Sequence, residues 1–231
     1  MTARALLISG AGRYADPWHP FARTSAAVAE IVTEAGVAVE IADDVDDALA
    51  GLPESAPDLL LLNIGDPAGP RPENAVDEAP DAARDERSRS GLLAHLAAGR
   101  PLLALHVSST SLGYVPEWES ILGGIWVPGT TMHPDPSDAR IQVDTDAHPI
   151  VAGVADFEVH DERYSWMRVS PSVRELAWHE HDGARHPLLW THDYGSARVV
   201  YDALGHDERS YQSASRRTLV SRAALWLLGD L

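Results

Sequence analysis

The 231-residue chain has no cysteine. Disulfides, thiolate nucleophiles and sulfur-ligated metal sites are therefore excluded. It has no lysine either, all 18 basic residues being arginine. Without a side-chain primary amine there is no Schiff-base chemistry, no internal attachment of pyridoxal phosphate and no P-loop lysine, and no nucleotide cofactor is expected. No apolar run approaches the roughly 18 residues that cross a bilayer, and the opening MTARALLISG is too short an apolar stretch for a secretory signal. The expected location is the cytoplasm. The net charge of −17 is offset by no basic stripe, so nucleic acid and anionic membranes are poor partners. What remains for catalysis is His, Asp, Glu, Ser, Thr, Tyr and Arg.

An apolar fraction of 45% over this length suffices for one sizeable core, and a single domain spanning 1–231 is expected. Arg4 to Ser9 reads as a strand opening onto a glycine-containing loop. From about Thr24, the residues Val28, Ile31, Val32 and Ala35 fall at helical spacing, with Gly36 as the stop. Val37 to Ile41 reads as a second strand, and Leu59 to Ile64 as a strand buried on both faces, which favours parallel pairing. Gly65 to Pro80 has little to bury and reads as an exposed loop. A helix carrying Leu92, Leu93 and Leu96 follows, then a buried strand from Pro101 to Leu105.

The second half is more broken. Trp118 to Leu122 reads as a short helix, while Ile141 to Val143, Val173 to His179, Leu188 to Thr191 and Arg198 to Ala203 read as strands, some of them antiparallel additions. Leu219, Val220, Ala223, Trp226 and Leu227 make a helical stripe that docks on the sheet.

In open parallel sheets, ligands bind beyond the carboxyl ends of the strands. Three histidines stand there: His19 after the first strand, His106 after Pro101 to Leu105, and His206 after the last long strand. His106 is the most specific. A strand ending in LLAL that breaks into His-Val-Ser-Ser-Thr resembles a nucleophile elbow, and an imidazole there can bind a metal or act as acid or base. The competing reading is a core histidine bonded to a backbone carbonyl; its position favours function. Ser108, Ser109 and Ser111 lack the glycines that flank an elbow serine and read as turn caps.

His133 and His148 each precede proline; His148 reads as a turn residue, while His133 is open between turn and pocket. In HDERYSW, a strand would put His160, Glu162 and Tyr164 on one face, either as a pocket wall or as an exposed edge. His179, His181, His186 and His192 surround a turn without a definite ligand spacing and read as surface histidines. Without cysteine, any metal would be held by imidazole, carboxylate and water, which suits zinc, manganese or iron.

These residues also carry a family resemblance. LALHVSST resembles the Leu-His-Ala-Ala-Thr segment of ThuA-like proteins, and ILGGIWVPGTTMHP their Leu-Gly-Gly stretch leading to His-Pro. DTDAHPIVAGVADFEVHDERYSW is similar to their Asp-x-x-His-Pro-Ile…Phe…Asp-Glu-x-Tyr run, HPLLWTHDYGSARVVYDALGHD to their Trp-Thr…Leu-Gly-His ending, and GAGRYADPWHPF to their first loop. The matches keep family order over nearly the whole chain. Departures are Gly195-Ser196-Ala197-Arg198 in place of Gly-x-Gly-Arg, and Ser9 and Ala11 where glycines are usual.

The resemblance implies an α/β fold of class I glutamine-amidotransferase-like type: a flavodoxin-like three-layer sandwich with a mostly parallel central sheet and some antiparallel additions. A histidine stands where the amidotransferases keep their catalytic cysteine. It also implies a role in the use of trehalose-type disaccharides, through 3-keto-glycosides, and in some members a divalent metal. Carried over by position are His19, His106, His133, Glu162, Tyr164 and His206.

The expected function is an enzyme with hydrolase- or lyase-type chemistry on a sugar, with His106, Glu162 and Tyr164 catalytic. His106, His133 and His206 would ligate a divalent metal, zinc first, and His19, Trp18 and Trp166 would bind substrate. Two alternatives are a non-catalytic amidotransferase-like accessory protein of a partner oxidoreductase, a sugar dehydrogenase, and a metal-dependent amide hydrolase. A homo-oligomer is compatible with each.

Overall fold

A computed structural model describes residues 2–73 and 81–231. The chain opens with β1 (Arg4–Ser9), α1 (Phe21–Glu34), β2 (Ala38–Ala42), α2 (Val45–Ala50), α3 (Leu52–Ser55) and β3 (Leu59–Asn63). α4 (Ala82–Ala97), β4 (Leu102–Leu105), α5 (Trp118–Leu122) and β5 (Gly124–Ile125) follow. The rest comprises β6 (Ser137–Val143), β7 (Phe157–Asp161), β8 (Arg168–Val169), β9 (Arg174–His181), β10 (Ala184–Tyr194), β11 (Ala197–Asp202) and α6 (Ala214–Leu228).

Nine strands form one sheet in the order β2-β1-β3-β4-β11-β10-β9-β6-β7. The first five are parallel, which reproduces the flavodoxin order, and the last four are joined by antiparallel pairings. The reason is local: β3 is buried at all five positions and β4 at all four, so both faces must be covered, and parallel strands linked by helices do that. α1 touches α6, whereas α2 and α3 touch α4. Right-handed crossovers leaving β1 and β3 in opposite directions put these two groups on opposite faces.

Helix limits are written locally. Asp81 accepts from the backbone N–H groups of Ala83 and Arg84 at the start of α4, and Ser213 caps α6. Gly91 in α4 is fixed by packing: a Cβ there would lie 2.0 Å from the Leu49 carbonyl oxygen of α2, so only glycine lets the two helices approach this closely.

Several boundaries differ from the sequence reading. α1 begins at Phe21, three residues before Thr24. α2 and α3 were not visible, because Val45, Leu49 and Leu52 are their only buried residues. β7 ends at Asp161, so Glu162 and Tyr164 lie in the following loop and do not share a strand face with His160, whose ring is bonded to Asp138. His179 and His186 are buried, which corrects their reading as surface histidines: they sit on the paired strands β9 and β10 and bond to the Tyr164–Trp166 segment. Of the loop read from Gly65 to Pro80, residues 74–80 lie outside the described residues. Among the described residues, no helix is long and apolar enough to cross a membrane.

The strand directions gather the site. With β11 pointing up, antiparallel pairing sends β10 down, β9 up, β6 down and β7 up. The carboxyl end of β7 therefore arrives at the same rim as those of β1, β4 and β11, and Glu162 arrives with it.

Candidate functional site

His106 follows β4 directly, opens a short 3-10 helix (His106–Thr110), and has φ +43°. That left-handed conformation is costly for a non-glycine residue and is retained where surrounding structure enforces it. Here the enforcement is visible. The Tyr201 hydroxyl donates to the His106 carbonyl at 2.6 Å, and the ring Nδ1–H donates to the Ala203 carbonyl at 2.7 Å. Nε2 is left as the lone-pair nitrogen, facing Glu162 Oε2 at 3.5 Å and accepting from the Tyr164 hydroxyl at 3.1 Å.

His19 is held by a turn built on Asp16. One carboxylate oxygen accepts from the N–H groups of Trp18 and His19, and the other is 2.7 Å from His19 Nδ1. His19 Nε2 is buried without a hydrogen-bond partner. His206 follows β11, and its Nδ1, also buried without a hydrogen-bond partner, lies 3.3 Å from Glu162 Oε1. Asp161 ties the pieces together: its carboxylate accepts from the backbone N–H groups of Glu162 (2.9 Å), Gly205 (2.8 Å) and His206 (3.0 Å).

His19, His106, Glu162 and His206 each present one ligand atom, and these atoms lie within 4.8 Å of one another. Glu162 and His19 are shifted toward the forms a cation site needs, whereas His206 is shifted toward its protonated form and would bind a cation by releasing that proton. Burial alone would raise Glu162, but His106 and His206 outweigh it and hold the carboxyl well below the usual range, so it is ionised. Burial lowers His19 in spite of Asp16, keeping the imidazole neutral, as a metal ligand must be. For His206, Glu162 outweighs burial and raises the value. The donor set of three imidazoles and one carboxylate fits a divalent cation. Two ligands also have their second nitrogen fixed, by Asp16 and by the Ala203 carbonyl, the outer arrangement that orients metal-bound histidines.

The cluster opens into a cavity of about 1040 Å³. Trp18 stands exposed on its wall, and Trp126 packs edge-on against Tyr164 at 4.8 Å. A smaller cavity of about 440 Å³ lies beside β2, and the described residues bring no ligating cluster to it.

A family model described as trehalose utilisation matches residues 4–227. The chain belongs to the ThuA family. Its fold is similar to that of a ThuA-like protein from Parabacteroides merdae ATCC 43184, at 19% identity and a TM-score of 0.77, covering 99% of this chain and 90% of that one. It is also similar to a cytoplasmic protein from Salmonella typhimurium LT2, at 13% identity and TM-score 0.62, covering 97% and 99%. A third likeness is to a β-galactosidase from Rahnella sp. R3, at 13% identity and TM-score 0.60, covering 97% of this chain but 31% of that one. At these identities the likeness is one of fold. No curated protein matches the chain.

In this ThuA-family protein, His19, His106, Glu162, Tyr164 and His206 all meet. His19, expected among substrate-binding residues, stands within the ligand group. His133, expected as a ligand, stands at the edge: its Nδ1 is 3.6 Å from Glu162 Oε1 and 3.1 Å from the Pro134 carbonyl oxygen, and the side chain is partly exposed. Trp166 packs on His181 and His186 and is not part of the cavity wall, where Trp126 is found instead. His148 caps a 3-10 turn, as read, by accepting from the Ile150 N–H. Ser108, Ser109 and Ser111 donate to backbone carbonyls, as turn-capping hydroxyls do. Asp16, Trp126 and Asp161 were not singled out from sequence.

Proposed function

We propose that this ThuA-family chain is a metal-dependent enzyme acting on a sugar substrate. His19, His106, Glu162 and His206 hold the divalent cation, and zinc is the proposed occupant. One observation carries the reading: four ligating side chains from separate parts of the sequence converge at the carboxyl rim of the sheet, with two buried imidazole nitrogens lacking a hydrogen-bond partner. When bound, the cation supplies Lewis acidity toward an oxygen of the substrate. Tyr164 is a buried hydroxyl beside the cluster whose burial keeps it protonated, so it serves as a donor. His133, half-open to the cavity and next to Glu162, is placed to exchange protons with solvent.

Membership of a family described by trehalose utilisation supports a sugar as the substrate class, and the cavity accommodates one. Elemental analysis of the purified protein, alongside turnover on a panel of disaccharides and their 3-keto forms, tests the proposal. The expected result is about one divalent metal per chain, with both metal and turnover lost in His106→Ala. Absence of metal together with full turnover in that variant overturns the proposal.

A further inference from the structure

Beyond the imidazole cluster, the cavity wall changes character. The chain leaves His106 through its short helix and turns at Leu112, and from there the lining is supplied by Leu112, Val115, Pro116 and Ile125, with Val107 and Trp126 nearer the cluster. Leu112 is fully buried at φ +56°, a second non-glycine residue held left-handed at this cavity, with its carbonyl accepting from the Val115 N–H at 2.7 Å. A residue kept in an unfavourable backbone region where the chain lines a cavity is a feature that the fold maintains rather than relaxes.

The hydroxyl and indole donors on this wall are engaged by backbone carbonyls. Ser109 donates to the His106 carbonyl, Thr110 to that of Val107, Ser111 to that of Ile64, and the Trp118 indole N–H to that of Ser108. A second sugar ring laid here would surrender the hydration of several hydroxyls to a wall whose donors are already engaged, and each unmet hydroxyl is costly. An apolar group would lose nothing polar and would gain from leaving water.

The charges point the same way. Of the carboxylates on the described lining, Asp16 and Glu162 belong to the cluster and Glu119 is paired with Arg168; Asp66 and Asp135 remain and no arginine is among the lining residues, so this wall offers no cation to a charged group at the far end of the substrate. Size agrees too: about 1040 Å³ is at the top of the range that encloses a drug-sized ligand and exceeds what one hexose fills.

We infer that this wall is an aglycone subsite: the substrate is a sugar carrying an uncharged aromatic or alkyl group, with the sugar at the imidazole cluster and the apolar group against Pro116, Ile125 and Trp126. The inference rests on the metal-site reading for where the sugar sits, but the subsite stands on its own walls. The test is calorimetric binding to the purified full chain of phenyl β-D-glucopyranoside, trehalose and phenol.

The phenyl glucoside is expected to bind about tenfold or more tightly than trehalose, the factor that burying one aromatic ring brings. Pro116→Ser and Ile125→Thr, each of which puts a hydroxyl on the wall in place of apolar surface, are expected to narrow the ratio of phenyl glucoside to trehalose affinity. Trehalose bound as tightly as the phenyl glucoside, or a ratio unmoved in both variants, overturns the subsite. Phenol binding that persists in a protein found to lack metal overturns the metal reading and leaves the subsite intact, so the two failures are distinguishable.

Discussion

The hydroxyl of Tyr164 donates to the one nitrogen of His106 that faces the ligand cluster, at 3.1 Å, while the two rings stack with centroids 4.5 Å apart. The other nitrogen is committed to the Ala203 carbonyl, so the Tyr164 bond occupies the lone pair that a cation at this site needs.

Tyr164→Phe removes that competitor and leaves the stacked ring in place. A net hydrogen bond contributes about 0.5–1.5 kcal/mol, so divalent metal should bind roughly 2- to 10-fold more tightly, although the donor proposed for catalysis is lost. Competition titration with a chromophoric chelator measures it. Unchanged or weaker metal binding in the variant would show that the hydroxyl does not guard His106.

Asp16 acts on His19 from behind. Its carboxylate fixes Nδ1 at 2.7 Å and shapes the turn through Trp18 and His19, leaving Nε2 toward the cluster. Asp16→Ala should weaken metal binding by about 10- to 100-fold, the usual effect of losing a partner that orients a ligand. The circular dichroism spectrum should be unchanged, because the turn is a surface loop. Retention of wild-type affinity would mean that His19 is not a ligand.

How much of this site can be read from the chain depends on how local each cause is. His106 is legible because the run LLAL ends in a polar segment, and the sharp turn that this implies is present as φ +43°. His19 and His206 are legible by the same rule of strand ends. Glu162 is legible as a residue but not as a position: a strand continuing to Tyr164 was expected, whereas β7 stops at Asp161 and the loop delivers the carboxylate. Asp16 and Asp161 carry no signal of their own in sequence, since their value is a set of backbone contacts made only after folding. Trp126 follows a two-residue strand whose partner, β8, is more than 40 residues away, and that pairing sets the wall.

His95 on α4 gives the fold a pH dependence separate from the site. Its Nε2 donates to the Pro101 carbonyl at 3.2 Å, while Nδ1 is buried without a hydrogen-bond partner, so a second proton has nowhere to bond. Burial depresses this histidine to about 4. The unfolded chain takes up the proton near pH 6.5 and the folded chain only near 4. Stability is therefore fully present above about 6.5 and is lost as pH falls through that window. The loss attributable to His95 is at most ~3 kcal/mol. Urea unfolding at pH 7.0 and 4.5 should show a smaller difference in His95→Gln than in the wild-type protein; equal differences would remove His95 as a cause.

Asp161 is where stability and site geometry coincide. The residue is 2% exposed, and its two oxygens accept from three backbone N–H groups belonging to two different loops, those of Glu162 and of Gly205 and His206. Hydrogen bonds to a carboxylate contribute more than those between neutral groups. Asp161→Ala leaves three buried donors to find water or nothing, and should lower unfolding stability by about 2–4 kcal/mol. Because the same bonds aim Glu162 and His206 at one another, bound metal should be lost in the folded fraction as well. Asp161→Asn keeps one acceptor oxygen and replaces the other with a donor facing a donor, so it should fall between the two proteins on both scales. Urea denaturation with metal analysis of the same samples separates the effects. A variant that loses stability yet keeps its metal would mean that Glu162 and His206 are positioned by their own packing, and that Asp161 only closes the two loops.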